Sequence, residues 1–202
     1  MSLTFEEISH TYRWDGKIVP SVTQILKPLT DYGSIPDGVL EKARQEGTAI
    51  HSMVEYDEEG QLDRAGLPEW MRPYLDAWHL FKSDSGWATD ASEKKLYHKV
   101  YKFAGTCDLT GTAPKLSSVT GRGLIDIKRS FYAGAAIGLQ LSAYAEAESI
   151  KHTDSNMRIR WRAALQLKKD GRYKLEIFDD KADWNTFLSC LVLHKWLEKH
   201  RS

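Results

Sequence analysis

Residues 123–130 read GLIDIKRS, and the first six have the composition of a buried β-strand that ends in charged residues. Residues i and i+2 of a strand point to the same face of a sheet, so Asp126 and Lys128 would present an acid and an amine side by side. This pair has two interpretations. It is either an exposed ion pair that contributes little to stability, or part of a metal site with a lysine beside it.

The patterns on either side of this strand predict an α/β fold. Short alternating segments predict strands at residues 91–99, 101–113, 123–128, 157–167 and 172–178. Helical periodicity predicts amphipathic helices at residues 39–59, 69–83, 135–149 and 181–200. In the second of these, Trp70, Tyr74, Ala77, Trp78 and Phe81 form one apolar stripe. Asp15-Gly16 predicts a hairpin turn near the N-terminus. This order of elements is typical of helices packed about a mixed sheet, without a clean domain boundary.

The composition excludes several classes of protein. The 202 residues include equal numbers of basic and acidic side chains, which argues against a protein that coats nucleic acid non-specifically but not against a local basic groove. Cys107 and Cys190 are too few for a four-cysteine iron–sulfur cluster and indicate a reducing, intracellular setting. We expect no secretory signal and no membrane association, because no apolar stretch is long enough.

Two acids are candidates for metal binding. Asp108 lies in the segment GTCDLTG, 18 residues before Asp126, a separation that suits adjacent strands joined by a polar turn. Carboxylates on neighbouring strands form an oxygen site for a hard divalent cation such as Mg²⁺. Lys128 could then orient a water molecule or balance a developing negative charge. The alternative for Asp108 is turn chemistry, since acids often follow glycine in turns.

Two predicted helices carry further candidates. His51 in EGTAIHSMVE, with Glu55 one turn later, is either a structural histidine or a third metal ligand. Gln140 and Tyr144 are four residues apart and share a helix face. Either Tyr144 is half-buried and Gln140 solvated, or both reach toward a nucleic-acid backbone or the lysine.

Four segments taken together resemble a known family. GTAIHSMVE, GTCDLTG, GLIDIKRS and LQLSAYAEA resemble, in this order, the motifs of the RecB-type branch of the PD-(D/E)XK nuclease superfamily, over residues 47–147. The opening HTYRWDGKIVPSVTQIL is similar to the start of small phage and mitochondrial exonucleases of that branch. The resemblance implies a single domain over residues 1–202. Its hairpin and helices would occupy residues 1–90, and a restriction-endonuclease-like αβββαβ core residues 91–202.

The resemblance also implies roles for individual residues. The implied catalytic residues are Asp108, Asp126 and Lys128. One or two Mg²⁺ or Mn²⁺ ions would be held by His51, Asp108, Asp126 and the backbone carbonyl of Ile127. Supporting or DNA-binding roles are implied for Gln140, Tyr144, Glu55, Glu93, Arg129 and Ser130.

The implied activity is that of a metal-dependent exonuclease that hydrolyses DNA from single-stranded or duplex ends, in phage or organellar replication, recombination or repair. Its partners would be DNA and a recombination, replication or helicase protein, in the cytoplasm, or the host cytoplasm for a virus, rather than in mitochondria. Two alternatives stay open: a structure-specific or restriction-like endonuclease of the same fold, and a catalytically silent DNA-binding or assembly module.

The sequence also contains cations and aromatic rings that could contact a nucleic-acid strand. Basic residues near the acids in sequence are Lys94, Lys95, Lys99, Lys102, Lys115, Arg122 and Arg129. The segment RIRWR predicts Arg158, Arg160 and Arg162 on one strand face, which either follows phosphates or is simply solvated. Candidates for stacking on unpaired bases are Tyr32, Tyr97, Tyr101, Phe131, Tyr132 and Trp161.

Overall fold

The computed structural model describes residues 2–30, 37–129 and 136–200. The strands in these ranges are β1 (Leu3–Glu6), β2 (Thr11–Trp14), β3 (Lys17–Val19), β4 (Ala88–His98), β5 (Phe103–Thr112), β6 (Arg122–Lys128), β7 (Trp161–Leu167) and β8 (Tyr173–Ile177). The α-helices are α1 (Val22–Leu26), α2 (Asp37–Glu58), α3 (Arg72–Ser85), α4 (Ala136–Ser149) and α5 (Ala182–His200). Among the described helices, none is long and apolar enough to cross a membrane.

The central sheet confirms the predicted α/β class. Its five strands are in the order β4-β5-β6-β7-β8, and every neighbouring pair is antiparallel except β6 and β7. The parallel pair requires a crossover, which contains helix α4. From α3 to β7 the chain therefore follows the order α-β-β-β-α-β.

Both faces of this sheet are covered by helices. Ile125 and Ile127 of β6 pack in a cluster that contains residues of α2 and α3, such as Met53 and Trp78. Leu124 belongs to a second cluster, formed with α1, α4 and α5. Burial on both faces explains why GLIDIK reads as a nearly continuous apolar run instead of an alternating one.

The N-terminal residues form a separate three-stranded antiparallel sheet in the order β1-β2-β3. The predicted hairpin is confirmed, and its turn residues Asp15 and Gly16 have φ values of 47° and 78°, as tight hairpin turns require. Strand β1 was not predicted. The small sheet is anchored because Tyr12 packs against Tyr97 and Ala104 of the central sheet.

Two details of the sequence prediction are wrong. Trp70 is 45% exposed, because residues 69–71 form a 3₁₀ turn and the α-helix begins only at Arg72. The strand predicted from residue 157 begins only at Trp161. It is preceded by a 3₁₀ turn at residues 155–157, which the side chain of Asp154 caps.

The arginines of RIRWR consequently do not form one strand face. Arg158 and Arg160 lie before strand β7, and Nε of Arg158 donates to the carbonyl of His152. Arg162 is inside the strand but forms an ion pair of 2.5 Å with Asp183 of α5. The prediction of a phosphate-following strand is therefore wrong, because the one arginine inside the strand ties α5 to the sheet.

Arg122 and Lys94 are part of a buried ionic network. Arg122 forms an ion pair with Asp90, which lies at a bulge in β4, and its Nη1 is 3.0 Å from Oε1 of Glu148. Nζ of Lys94 is 2.6 Å from the same oxygen of Glu148. Their sequence position beside the acids suggested phosphate binding, but both cations are neutralised between α4 and the sheet.

This network should make part of the stability depend on pH. Burial would raise the pKa of Glu148, but Lys94, His152 and Arg122 outweigh it and lower the pKa from 4.5 to about 2. The stabilisation is present above about pH 4.5 and is lost as the pH falls toward 2. It amounts to about 3 kcal/mol at most. Urea unfolding at several pH values should show a steeper loss in the wild type than in Glu148→Gln. Parallel curves for the two proteins would contradict the prediction.

Candidate metal centre

Strands β5 and β6 separate at the position of the predicted site. Their pairing runs from Thr112↔Arg122 to Leu109↔Ile125 and ends there. Beyond this point the backbone of Ile127 bonds to side chains: its N–H donates to Oδ2 of Asp108 at 2.6 Å, and its carbonyl accepts from Nε2 of His51 at 3.0 Å. The separation of the strands thus holds a carboxylate and an imidazole side by side.

A possible metal-binding group lies at this opening. Nδ1 of His51 is 3.5 Å from Oδ2 of Asp108 and 3.7 Å from Oε1 of Glu93. One ligand atom from each of the three residues lies within 4.8 Å of the other two. The group takes one member from α2, one from β4 and one from β5, so it exists only when the helix is packed on the sheet.

Glu93 reaches this group through an unusual backbone conformation. Ser92 pairs with Leu109 and Lys94 with Cys107, so Glu93 stands opposite Asp108. Its φ is 43°, in the left-handed region that residues other than glycine seldom adopt. Strained residues of this kind concentrate at functional sites. The sequence suggested only a supporting role for Glu93, because left-handed backbone leaves no pattern in residue types.

Asp126 and Lys128 lie on the adjacent strand and form the predicted pair. Nζ of Lys128 is 2.5 Å from Oδ2 of Asp126, and Asp126 is only 2% exposed. The pair is therefore not a surface ion pair, which was the simpler interpretation. Asp126 is outside the group of three described above. Its role as a metal ligand remains a prediction.

Helix α4 supports this carboxylate through two side chains. Nε2 of Gln140 lies 3.3 Å from Oδ1 of Asp126 and 3.2 Å from the hydroxyl oxygen of Tyr144. Tyr144 is almost completely buried, which excludes the alternative of a half-buried ring beside a solvated Gln140. A Cβ at Gly105 would lie 2.5 Å from Cε1 of Tyr144. The glycine of GTCD therefore lets the tyrosine approach the strand.

Charges are concentrated and partly desolvated in this site. Burial, with the charge of Asp126, raises the pKa of Asp108 to about 7, although His51 opposes the change. Burial would lower the pKa of His51, but Asp108 and Glu93 together raise it to about 9. The positive charge that His51 can carry thus compensates the negative charge of Asp108. A divalent cation bound here would take over that role and release the proton.

The remaining predicted site residues lie outside the group of His51, Glu93 and Asp108. Glu55 lines the cavity beside His51, and burial and the charge of Glu93 raise its pKa. Arg129 forms an ion pair of 2.9 Å with Glu46 of α2, so it links that helix to the end of β6. Ser130 lies outside the described residues, as do the candidate stacking residues Tyr32, Phe131 and Tyr132.

His51 and Glu93 of the possible metal-binding group, which we call the metal group, line a cavity of about 490 Å³. Four parts of the fold line it: the N-terminal sheet region, helix α2, strand β4 and strand β5. The lining residues are Phe5, Glu7, His10, Gly47, Thr48, His51, Ser52, Glu55, Glu93, Lys95 and Thr106. Thr48 and Ser52 were not among the predicted site residues, although helical spacing from His51 could have indicated Thr48. No sequence pattern indicated that Phe5, Glu7 and His10 would line this cavity.

Comparisons with known proteins add little to this description. No protein-family model matches the chain, and no curated protein matches it. Among solved structures, the chain is similar to SSO0001, known from a crystal structure, with 16% identity and a TM-score of 0.36. The similarity covers 73% of this chain and 71% of that one. A similarity this low supports no functional conclusion, so any proposal about function rests on the side chains of the site.

Proposed function

We propose that this chain is a metal-dependent deoxyribonuclease that hydrolyses phosphodiester bonds from DNA ends. One observation carries the proposal. The carboxylates of Asp108 and Asp126, the imidazole of His51 and the ammonium of Lys128 converge where β5 and β6 separate. Paired carboxylates with a neighbouring lysine supply what phosphodiester hydrolysis requires, namely a cation site and a group that handles a water molecule.

The donor set fits one or two Mg²⁺ or Mn²⁺ ions. Asp108, Glu93 and Asp126 offer hard carboxylate oxygens, and the carbonyl of Ile127 and the imidazole of His51 could complete the site. When bound, the ion would lower the pKa of a water molecule and withdraw charge from the phosphate. The carboxylates alone would repel a polyanion, which is a further reason to expect metal dependence.

Lys128 is the side chain best placed to orient the water molecule that attacks the phosphate. Its ammonium is held against Asp126 at the mouth of the strand opening, and its side chain is 23% exposed. From there it can orient a water molecule and balance the negative charge that develops on the phosphate oxygens. Gln140 fixes the other oxygen of Asp126, and Tyr144 in turn fixes Gln140, so both act as positioning residues.

The preference for an exonuclease rests on the resemblance described above. A structure-specific endonuclease would use the same side chains. A silent binding module is disfavoured because Asp108, Asp126 and Lys128 are all present and close together. We expect the protein to act inside a cell, in the host cytoplasm if it is viral. Replication, recombination or helicase proteins are its expected partners.

The decisive experiment uses linear single-stranded, linear duplex and circular single-stranded DNA, each with Mg²⁺, with Mn²⁺ and with EDTA. We expect metal-dependent loss of the linear substrates and survival of the circle, and the position of an end label gives the polarity. Asp170→Asn, an exposed acid away from the site, should behave as the wild type. Cutting of the circle would establish an endonuclease instead. DNA binding without cleavage under any condition would contradict the proposal and favour a silent module or a missing partner protein.

A further inference from the structure

A second cavity, of about 580 Å³, lies between the N-terminal sheet and the turn that joins β4 to β5. One wall is aromatic and aliphatic. The rings of Trp14 and Tyr97 are stacked, with centroids 4.1 Å apart and planes inclined by 13°. Beside them Ile18 is 66% exposed. An apolar wall of this kind, in which Trp14 is half-buried and Ile18 exposed, suits a flat ring system.

The rim of the same cavity is basic. Lys17, Lys99 and Lys102 line it and are exposed, and their ammonium groups have no hydrogen-bond or ion-pair partner among residues 2–30, 37–129 and 136–200. Lys195 also lines it but donates to the carbonyl of Tyr101 at 2.9 Å. Asp15 contributes the single acid of the lining. In a chain of zero net charge, three unpaired lysines around one cavity form a local site for an anion.

Strand β4 connects this cavity to the metal centre. Glu93 and Lys95 line the cavity at the metal group, and Tyr97 lines the second cavity. Alternate residues on one face of β4 therefore lead from one cavity to the other. Four residues separate Tyr97 from Glu93, which corresponds to about 13 Å along a strand. Nζ of Lys95 lies 5.7 Å from the ring centre of Phe5 between them. The N-terminal sheet lines both cavities.

We propose that this second cavity, which we call the Trp14 pocket, binds a nucleotide of an unpaired DNA strand that extends to the metal centre. The base would lie against Trp14 and Ile18, and the flanking phosphates among Lys17, Lys99 and Lys102. Stacking on an aromatic ring accepts any base, and lysines contact phosphates as point charges. The pocket therefore holds a strand without reading its sequence. This inference deepens the proposed nuclease function and rests on it for the path of the strand.

Binding can be tested separately from cleavage. Fluorescence anisotropy with a labelled 12-nucleotide oligo-dT in EDTA measures binding alone. Neutralising two lysines in Lys17→Gln/Lys99→Gln should lower the affinity about tenfold. It should also reduce the slope of log affinity against log salt by about 1.4, the value for two phosphate contacts on a single strand. The matched control is Lys169→Gln/Lys181→Gln, two exposed lysines outside the pocket.

A second variant tests the aromatic wall. Trp14→Leu keeps an apolar side chain against Tyr97 but removes the stacking ring, and it should weaken binding about fivefold or more without changing the salt slope. Circular dichroism establishes that the variant is folded. If it is not, Ile18→Ser, at an exposed position, tests the same wall and should also weaken binding.

The outcomes separate this inference from the nuclease proposal. Lysine-dependent binding without metal-dependent cleavage would support the Trp14 pocket and overturn the nuclease. Cleavage with oligo-dT affinity and salt slope unchanged in Lys17→Gln/Lys99→Gln would retain the nuclease and overturn the pocket. Binding of free dTMP that depends on these lysines, while oligo-dT affinity does not, would also overturn it, because the pocket would then serve a free nucleotide.

Discussion

The Asp126→Asn variant is expected to hydrolyse linear DNA at least about 1,000-fold more slowly than the wild-type protein. The substitution keeps the shape of the side chain, and Gln140 can still donate to its amide oxygen. It removes the negative charge that faces Lys128 and that would help to hold a divalent cation. The loss should therefore appear in catalysis and in metal affinity, with secondary structure retained.

Three measurements test this expectation. Initial rates on end-labelled DNA give the loss of activity, calorimetric titration with Mn²⁺ gives the loss of metal affinity, and circular dichroism establishes that the variant is folded. Asp170→Asn serves as the matched control, because Asp170 is exposed and pairs with Arg172 on the surface. A folded Asp126→Asn variant with a rate within tenfold of the wild type would exclude Asp126 from the chemistry.

The Arg122→Met variant should be destabilised by about 3–5 kcal/mol, the usual cost of removing one partner from a buried ion pair. Arg122 is only 6% exposed. Besides its ion pairs with Asp90 and Glu148, it donates to the carbonyl of Met157 at 2.9 Å and to the hydroxyl of Thr110 at 3.0 Å. Methionine fills a similar volume but leaves these acceptors without their donor.

Urea unfolding gives this free-energy difference directly, and the melting temperature should fall by roughly 6–20 °C. The control is Arg172→Met. Arg172 forms its ion pair with Asp170 at the surface, with 75% of its side chain exposed, so its loss should leave stability almost unchanged. Equal changes in the free energy of unfolding for the two substitutions would show that burial does not increase the contribution of Arg122 to stability.

Much of the fold could be predicted because its signals are local. Apolar periodicity located the central strands and the longer helices, and the interval between Asp108 and Asp126 correctly placed them on neighbouring strands. The pairing of Asp126 with Lys128 follows from strand alternation alone. These features need only the preceding and following residues, which a sequence displays directly.

The wrong predictions concern partners that are distant in sequence. Arg122 was a candidate phosphate ligand because it lies near the acids in sequence, but it is neutralised by Asp90 and Glu148, which are 32 and 26 residues away. Arg162 is held by Asp183 in the same way. No local sequence pattern shows which cationic side chains will form ion pairs inside the folded protein. The same limit applies to Ile127, whose backbone is bonded by His51 from 76 residues away.

The left-handed backbone at Glu93 means that a substitution that stabilises this position would remove a possible metal ligand. Glycine adopts such a φ freely, whereas another residue there costs about 1 kcal/mol. A sequence redesigned only for thermal tolerance would therefore favour glycine at position 93 and discard a carboxylate of the metal group. Stabilising substitutions should be sought elsewhere in the chain, and the strain at this position should be preserved.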